Sequence, residues 1–174
     1  MFTPKTAPFK GQGAAQAIRI DQACAADAEA ITALIGRLLD EIMTAVGAKA
    51  FSFDAEQSAP QLRRLIDRGR YVVFVAREHG ERIVGVVTLS ESCALYAGGL
   101  FGTIPEFYVI PERRSLGIGA LLLSAARSHA QSQGWKRLEV TPPPLPSFER
   151  ALSFYERQGF SVTGGRKLKL ETQP

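Results

Sequence analysis

An α/β domain built on one mixed, mostly antiparallel sheet is the architecture this sequence implies. Two β-branched runs, "YVVFVAR" (71–77) and "RIVGVVTLS" (82–90), occupy the middle of the chain. Stretches with apolar residues at helical spacing lie before and after them. No internal repeat or linker-like stretch divides the 174 residues, which suffice for one domain with its own core.

The elements follow in order. Residues 1–15, rich in Pro, Gly, Ala and Lys, read as a flexible tail without the apolar run of a secretory signal, so the domain is expected over 16–174. "AIRI" (17–20) alternates like a short strand. Asp27 stands where it would cap a helix in which Ile31, Leu34, Ile35, Leu38, Ile42 and Val46 recur, with Gly47 at its end. A loop is expected over 48–57, and Ser58 with Pro60 opens a shorter helix that stops at Gly69. The β-branched runs form a hairpin around "EHGE", buried on much of both faces. "LYAGGL" (95–100) is a second turn, and "LFGTIPEFYVI" (100–110) is the next strand. Pro105 inside it lacks a ladder donor and marks an edge or a bulge. A helix runs from about 117 to 133, with Gly134 as its stop. "KRLEVT" (136–141) is a strand, followed by the stiff connector "PPPLP". Ser147 is placed to cap a helix with Phe148, Ala151, Leu152 and Tyr155 on one face, and Gly159 ends it. "FSVTG" and "KLKLE" would be two last strands around Gly164-Gly165.

Composition narrows the function classes. Apolar residues make up 45% and charged residues 22%, a globular mix rather than a disordered one. No apolar run reaches the roughly 18 residues of a membrane span. Cys24 and Cys93 are too few for a disulfide framework and read as free thiols in a reducing cytoplasm. The formal charge of +4 favours anionic ligands weakly. Basic residues come in scattered pairs, which argues against nucleic acid. His, Cys, Asp and Glu show no metal-ligand spacing, so no metal is expected.

"PERRSLGIGALLL" (111–123) carries the chemistry. It leads from a strand through two glycines into a helix. A helix head offers unpaired N–H groups and the positive end of the dipole, a natural phosphate site. Glycine at 117 and 119 lets an anion approach the backbone, and Arg113 and Arg114 stand beside it. The alternative is a tight strand-to-helix turn with glycine for geometry alone. The P-loop pattern is absent, and Leu122 stands where the dinucleotide fingerprint needs its third glycine.

Arg114-Ser115-Leu116-Gly117-Ile118-Gly119 resembles the Arg/Gln-x-x-Gly-x-Gly/Ala signature of the GNAT family of N-acetyltransferases. "FYVIPERRSLGIGALLL" looks like that family's fourth strand running into its third helix, and "ALSFYERQGF" like its later helix and the strand after it. The order of elements agrees from about Gln16 to Leu170. The resemblance implies a GNAT fold: about six to seven strands and four helices, with a splayed V between the fourth and fifth strands. Pro105 fits the bulge that opens this V. It implies acetyl-CoA as donor, with the pyrophosphate on the N–H groups of Ser115, Leu116, Gly117, Ile118, Gly119 and Ala120. The pantetheine arm would lie beside Phe107, Tyr108 and Val109. Many members have glycine where Ser115 stands and asparagine where Phe148 stands; Ser147 is the candidate to replace that asparagine's contact.

Acetyl transfer to an amine needs a base for the ammonium, donors for the oxyanion and an acid for the departing thiolate, whose pKa is about 8.5. Tyr155 matches the family's general acid; otherwise it is a core aromatic. Glu106 stands where many members place an acidic residue and is the candidate base; otherwise it only binds the cationic substrate. It should share a sheet face with Tyr108, opposite Phe107 and Val109, unless the bulge changes the parity. A backbone N–H on this strand, such as that of Val109, would polarise the thioester. Cys93 has no partner base at a telling distance from His79 or His129. In this fold the segments 47–58, 92–99 and 163–167 would line the acceptor side, and Glu41, Asp54, Glu56 and Glu91 are surface charges able to attract an amine.

The expected function is therefore acetyl transfer to a primary amine of a small molecule or peptide. A catalytically silent acetyl-CoA sensor and a purely structural interaction domain are the competing readings. Family members often pair, which makes a homodimer one expected state.

Overall fold

A computed structural model of the chain describes residues 18–78, 81–163, 168–170 and 172. Its elements are β1 (Arg19–Gln22), α1 (Ala28–Val46), α2 (Ala55–Asp67), β2 (Val72–Arg77), β3 (Ile83–Ala94), β4 (Gly99–Ile104), β5 (Phe107–Val109), α3 (Ile118–Ser132), β6 (Leu138–Val140) and α4 (Glu149–Arg157). Short 3-10 turns at Ala25–Asp27, Leu95–Ala97 and Pro111–Arg113 link them. The sheet runs β1-β2-β3-β4-β6, with β5 also on β3. Every pairing is antiparallel except that of β4 with β6.

The single strand expected over 100–110 is two strands, broken at Pro105 and Glu106. On β4 the register sets Ser90 opposite Thr103; on β5 it sets Val87 opposite Phe107. Between those pairs β4–β5 contains one residue more than β3, which is a bulge. Proline is tolerated there because its missing N–H falls where the ladder is already broken. Among the described residues β6 pairs only with Gly102–Ile104 of β4, and β5 has no strand partner on that side. The sheet is thus open between β5 and β6.

Helices cover both faces. Tyr108 reaches Glu41 of α1, while its neighbour Phe107 packs against Phe154 of α4 and lies near Gly119 of α3. Successive strand residues face opposite sides, so α1 lies on one face and α3 with α4 on the other. β3 runs between these layers, and Ile83 to Leu89 are all buried, as the unbroken apolar run foretells. Ile31, Val84, Leu122 and Leu123 anchor the core at 0% exposure.

Several boundaries differ from expectation. Asp27 precedes α1 without capping it; its carboxylate accepts instead from the Cys24 N–H, 3.0 Å behind it. α2 begins at Ala55 because Asp54 caps it, its Oδ1 accepting from the Gln57 N–H at 2.9 Å, and the helix continues through Pro60. β3 runs past the expected end at Ser90 to Ala94 and includes Cys93, and the turn follows at Leu95–Ala97, within the expected 95–100. Ser147 does not cap α4; Phe148 precedes that helix with no side-chain cap. Residues 160–163 and 168–170 form no strand. The tail over 1–15, His79 and the turn at 164–167 lie outside the described residues.

Candidate active site

The head of α3 is open. Gly117 precedes the first turn at φ 81, with nothing within 4 Å of the place a Cβ would take. Ser115 is also left-handed, at φ 64, a conformation that disfavours residues carrying a Cβ. The first bond into the helix runs from the Leu121 N–H to the Gly117 carbonyl at 3.1 Å. Among the described residues, the N–H groups of Ser115, Leu116, Gly117, Ile118, Gly119 and Ala120 meet no protein acceptor. They are the unpaired donors that a helix head presents to an anion. Gly119 has a second role: a Cβ there would lie 3.3 Å from the Phe154 ring. Its bareness lets α4 approach α3.

The two arginines expected at this head are engaged elsewhere. Arg113 Nε donates to Glu78 at 2.8 Å and, with Arg82, holds that carboxyl below the usual carboxylate range. Arg114 Nη2 donates to Glu41 at 2.7 Å, and its Nε donates to the Val109 carbonyl at 2.8 Å. Glu41 also accepts from the Tyr108 hydroxyl. Its other oxygen holds Arg114, which tethers α1 to the loop before α3. A third arginine comes from α4. Arg150 Nη2 donates to Ser115 Oγ at 2.6 Å and has no carboxylate partner among the described residues. Sequence spacing gave no sign of it, because α4 meets the α3 head only through tertiary folding.

Tyr155 stands on the same side of the sheet. It is 7% exposed, and its ring lies 6.0 Å from that of Phe107 and 5.5 Å from those of Phe154 and Phe160. Burial raises its pKa far above that of free tyrosine, and among the described residues no hydrogen bond offsets this. The hydroxyl keeps its proton throughout the neutral range. Ser147 Oγ points the other way, toward the Ala45 carbonyl of α1 at 3.4 Å.

Glu106 sits in the bulge. As expected, it shares the α1 face with Tyr108, while Phe107 faces α3 and α4. Its Oε2 accepts from the Tyr71 hydroxyl at 2.8 Å and from the Thr88 hydroxyl. Of the four acids named for an amine, Glu41 is bound to Tyr108 and Arg114, Asp54 caps α2, and Glu91 accepts from Trp135 at 2.9 Å. A cavity of about 410 Å³ lies between α1 and the segment before α2, lined by Arg37, Asp40, Met43, Phe51 and Phe53. Arg37 links it to the α1 face of β5, its guanidinium 5.9 Å above the Tyr108 ring. His129 lies between Phe74 and Trp135, and burial lowers its pKa. Among the described residues no group of His, Cys, Asp and Glu is arranged to hold a metal, and no helix is long and apolar enough to cross a membrane.

The sheet thus parts beside a helix head whose amides are free among the described residues, an arrangement able to take a phosphate-bearing ligand between strand edge and helix. Residues 69–162 match the family model described as an acetyltransferase (GNAT) domain. The chain belongs to the GNAT acetyltransferase family and is an acyltransferase. It is 27% identical over 151 residues to an uncharacterized N-acetyltransferase, YhfO, of Bacillus subtilis (strain 168), covering 85% of this chain and 93% of that protein. The fold also matches a predicted acetyltransferase with acetyl-CoA from Clostridium acetobutylicum (TM-score 0.72, 16% identity, 89% of this chain and 96% of the other). It likewise matches an aminoglycoside acetyltransferase from an uncultured soil metagenomic sample, solved in complex with sisomicin (TM-score 0.68, 20% identity, 90% and 97% covered).

Proposed function

We propose that the enzyme moves the acetyl group of acetyl-CoA directly to a primary amine of a small molecule or peptide. The carrying observation is the run of six N–H groups from Ser115 to Ala120, unpartnered among the described residues, beside the open edge of β5. A diphosphate satisfies such donors, and the empty space at Gly117 admits it. Arg150 adds the charge that Arg113 and Arg114 have committed to carboxylates. The N–H and carbonyl of Phe107 and the N–H of Val109 face away from β3, because Glu106 and Ile110 bond toward it. The Phe107 pair is placed to meet the amides of a pantetheine arm, and the Val109 N–H is left for the reacting carbonyl.

Acetyl-CoA supplies an activated acyl carbon when bound. Glu106 takes the proton that the ammonium must lose before it can attack. The Val109 N–H donates to the oxyanion. Tyr155, still protonated at neutral pH, gives its proton to the departing thiolate. The cavity beside α1 has aromatic walls in Phe51 and Phe53 and a mixed charge, the Asp40 carboxylate standing with Arg37 and Lys49. The aminoglycoside acetyltransferase of the same fold supports amines with several cationic groups as the first to test.

Two measurements test this. Acetyl-CoA should raise the melting temperature in a concentration-dependent way, and CoA thiol should be released with at least one member of a panel of polyamines, aminoglycosides, amino acids and peptides. Binding without thiol release across the panel would leave only a sensor, and no thermal shift would overturn both readings.

A further inference from the structure

We infer that Tyr71 and Thr88 are positioning residues: together they grip one oxygen of the Glu106 carboxylate and leave the other turned to the acceptor amine. The inference rests on the reading of Glu106 as base. Both hydroxyls donate to the same atom, Oε2. Oε1 has no hydrogen-bond partner among the described residues. A carboxylate held at both oxygens shares the lone pairs of each with a donor; one held at neither turns about all three side-chain torsions of glutamate. One oxygen gripped twice fixes the carboxylate plane and keeps a lone pair available.

The grip is built from the backbone outward. Continuing the β3–β4 register would set Pro105 opposite Thr88, but the extra residue of the bulge sets Glu106 there. The Thr88 N–H then donates to the Glu106 carbonyl at 2.9 Å, and the Glu106 N–H donates to Thr88 Oγ1 at 2.9 Å. With its lone pair engaged by that N–H, the Thr88 hydroxyl donates to Oε2, and the Glu106 carbonyl at 3.3 Å is a longer second acceptor. Thr88 is fully buried at 0% exposure, so its rotamer is set by packing. Tyr71 enters from the end of α2, where its N–H donates to the Leu65 carbonyl at 3.2 Å. Burial, followed by the nearby Glu106 charge, pushes the Tyr71 pKa far up, which keeps that hydroxyl a donor at any working pH. Both residues meet Glu106 from the β3 side, away from the open edge of β5 along which the acetyl donor is proposed to lie.

The test is a mutant cycle read as thiol release, at saturating acetyl-CoA, with the best amine of the panel above. Tyr71→Phe and Thr88→Val should each lower kcat about tenfold while KM for acetyl-CoA changes less than about twofold. Thr88→Ser, which keeps the hydroxyl, should recover most of the loss. In a Glu106→Gln background, Tyr71→Phe should cost less than about twofold, because its effect passes through the carboxylate. Wild-type kcat in both Tyr71→Phe and Thr88→Val would overturn the inference. So would an equal fractional loss from Tyr71→Phe in the two backgrounds, which a merely structural hydroxyl would give. Wild-type kcat in Glu106→Gln alone would instead remove Glu106 as base.

Discussion

At the scale of single residues, Tyr155 and Arg150 make the sharpest contrast. Tyr155 is legible in the sequence because "ALSFYERQGF" carries it at a fixed place in a local pattern. Its environment fits an acid, since a buried phenol without a hydrogen-bond partner holds its proton. Tyr155→Phe should lower kcat about a hundredfold and leave the acetyl-CoA dissociation constant within about twofold, as checked by thiol release and by thermal shift. An unchanged rate would reduce Tyr155 to a core aromatic. Arg150 could not be foreseen, because no spacing relates it to Ser115 along the chain. Arg150→Ala should weaken acetyl-CoA binding roughly fivefold to tenfold, and added salt should narrow the gap between variant and wild type. Equal affinity at low salt would show that the amides alone hold the anion. Arg113 and Arg114 are the reverse case: the sequence displays their charge but hides Glu78 and Glu41, which fold back to meet them.

At the scale of elements, periodicity marks what is long and amphipathic. α1, α3, the β2–β3 hairpin and α4 are all visible in this way, as is the defect at Pro105. What periodicity missed was decided by single side chains or by distant partners. Asp54 starts α2 earlier than Ser58 because its carboxylate finds the Gln57 N–H. Proline signals that something breaks, but only the β3 register shows that one strand becomes two. Leu122 illustrates what the helical pattern does predict. It is fully buried in α3, and its Cδ1 would stand 3.0 Å from a Cβ at Gly85. Leu122→Ala should therefore cost about 2–5 kcal/mol, measured by urea unfolding with an unchanged m-value. A loss below about 1 kcal/mol would mean that the α3–β3 interface closes over the gap.

For the whole molecule, the order of elements was legible and so was the family. The two strands expected at the C-terminal end were not found: Phe160 to Thr163 and Leu168 to Leu170 are irregular, and Leu168 and Leu170 are exposed. Alternation of apolar residues is a local signal, whereas a strand needs a partner. Electrostatics also act at this scale. Burial pushes Asp27 up, but hydrogen bonding from Arg77 and the Cys24 N–H, with the Arg77 charge, outweighs burial and leaves its carboxyl below the usual range. Glu78 is likewise lowered, chiefly by its hydrogen bond to Arg113. Groups whose pKa falls on folding stabilise the fold above their unfolded values and lose that contribution as pH falls through the folded ones. The urea midpoint should hold between about pH 7 and 5 and drop below about pH 4.5. A midpoint that stays level down to about pH 3 would show these pairs contribute nothing.

The added residue between Thr103 and Phe107 does more than bend a strand. It leaves a short ribbon of main chain with its polar edge bare and a neighbour too far away to zip onto it. A rounded hydrocarbon lodged in that gap would strand donors and acceptors without company, at about 1–3 kcal/mol for each one buried. A slender chain bearing its own peptide-like groups would complete the edge as a guest strand. The gap therefore discriminates by the visitor's backbone before any reactive group is in reach.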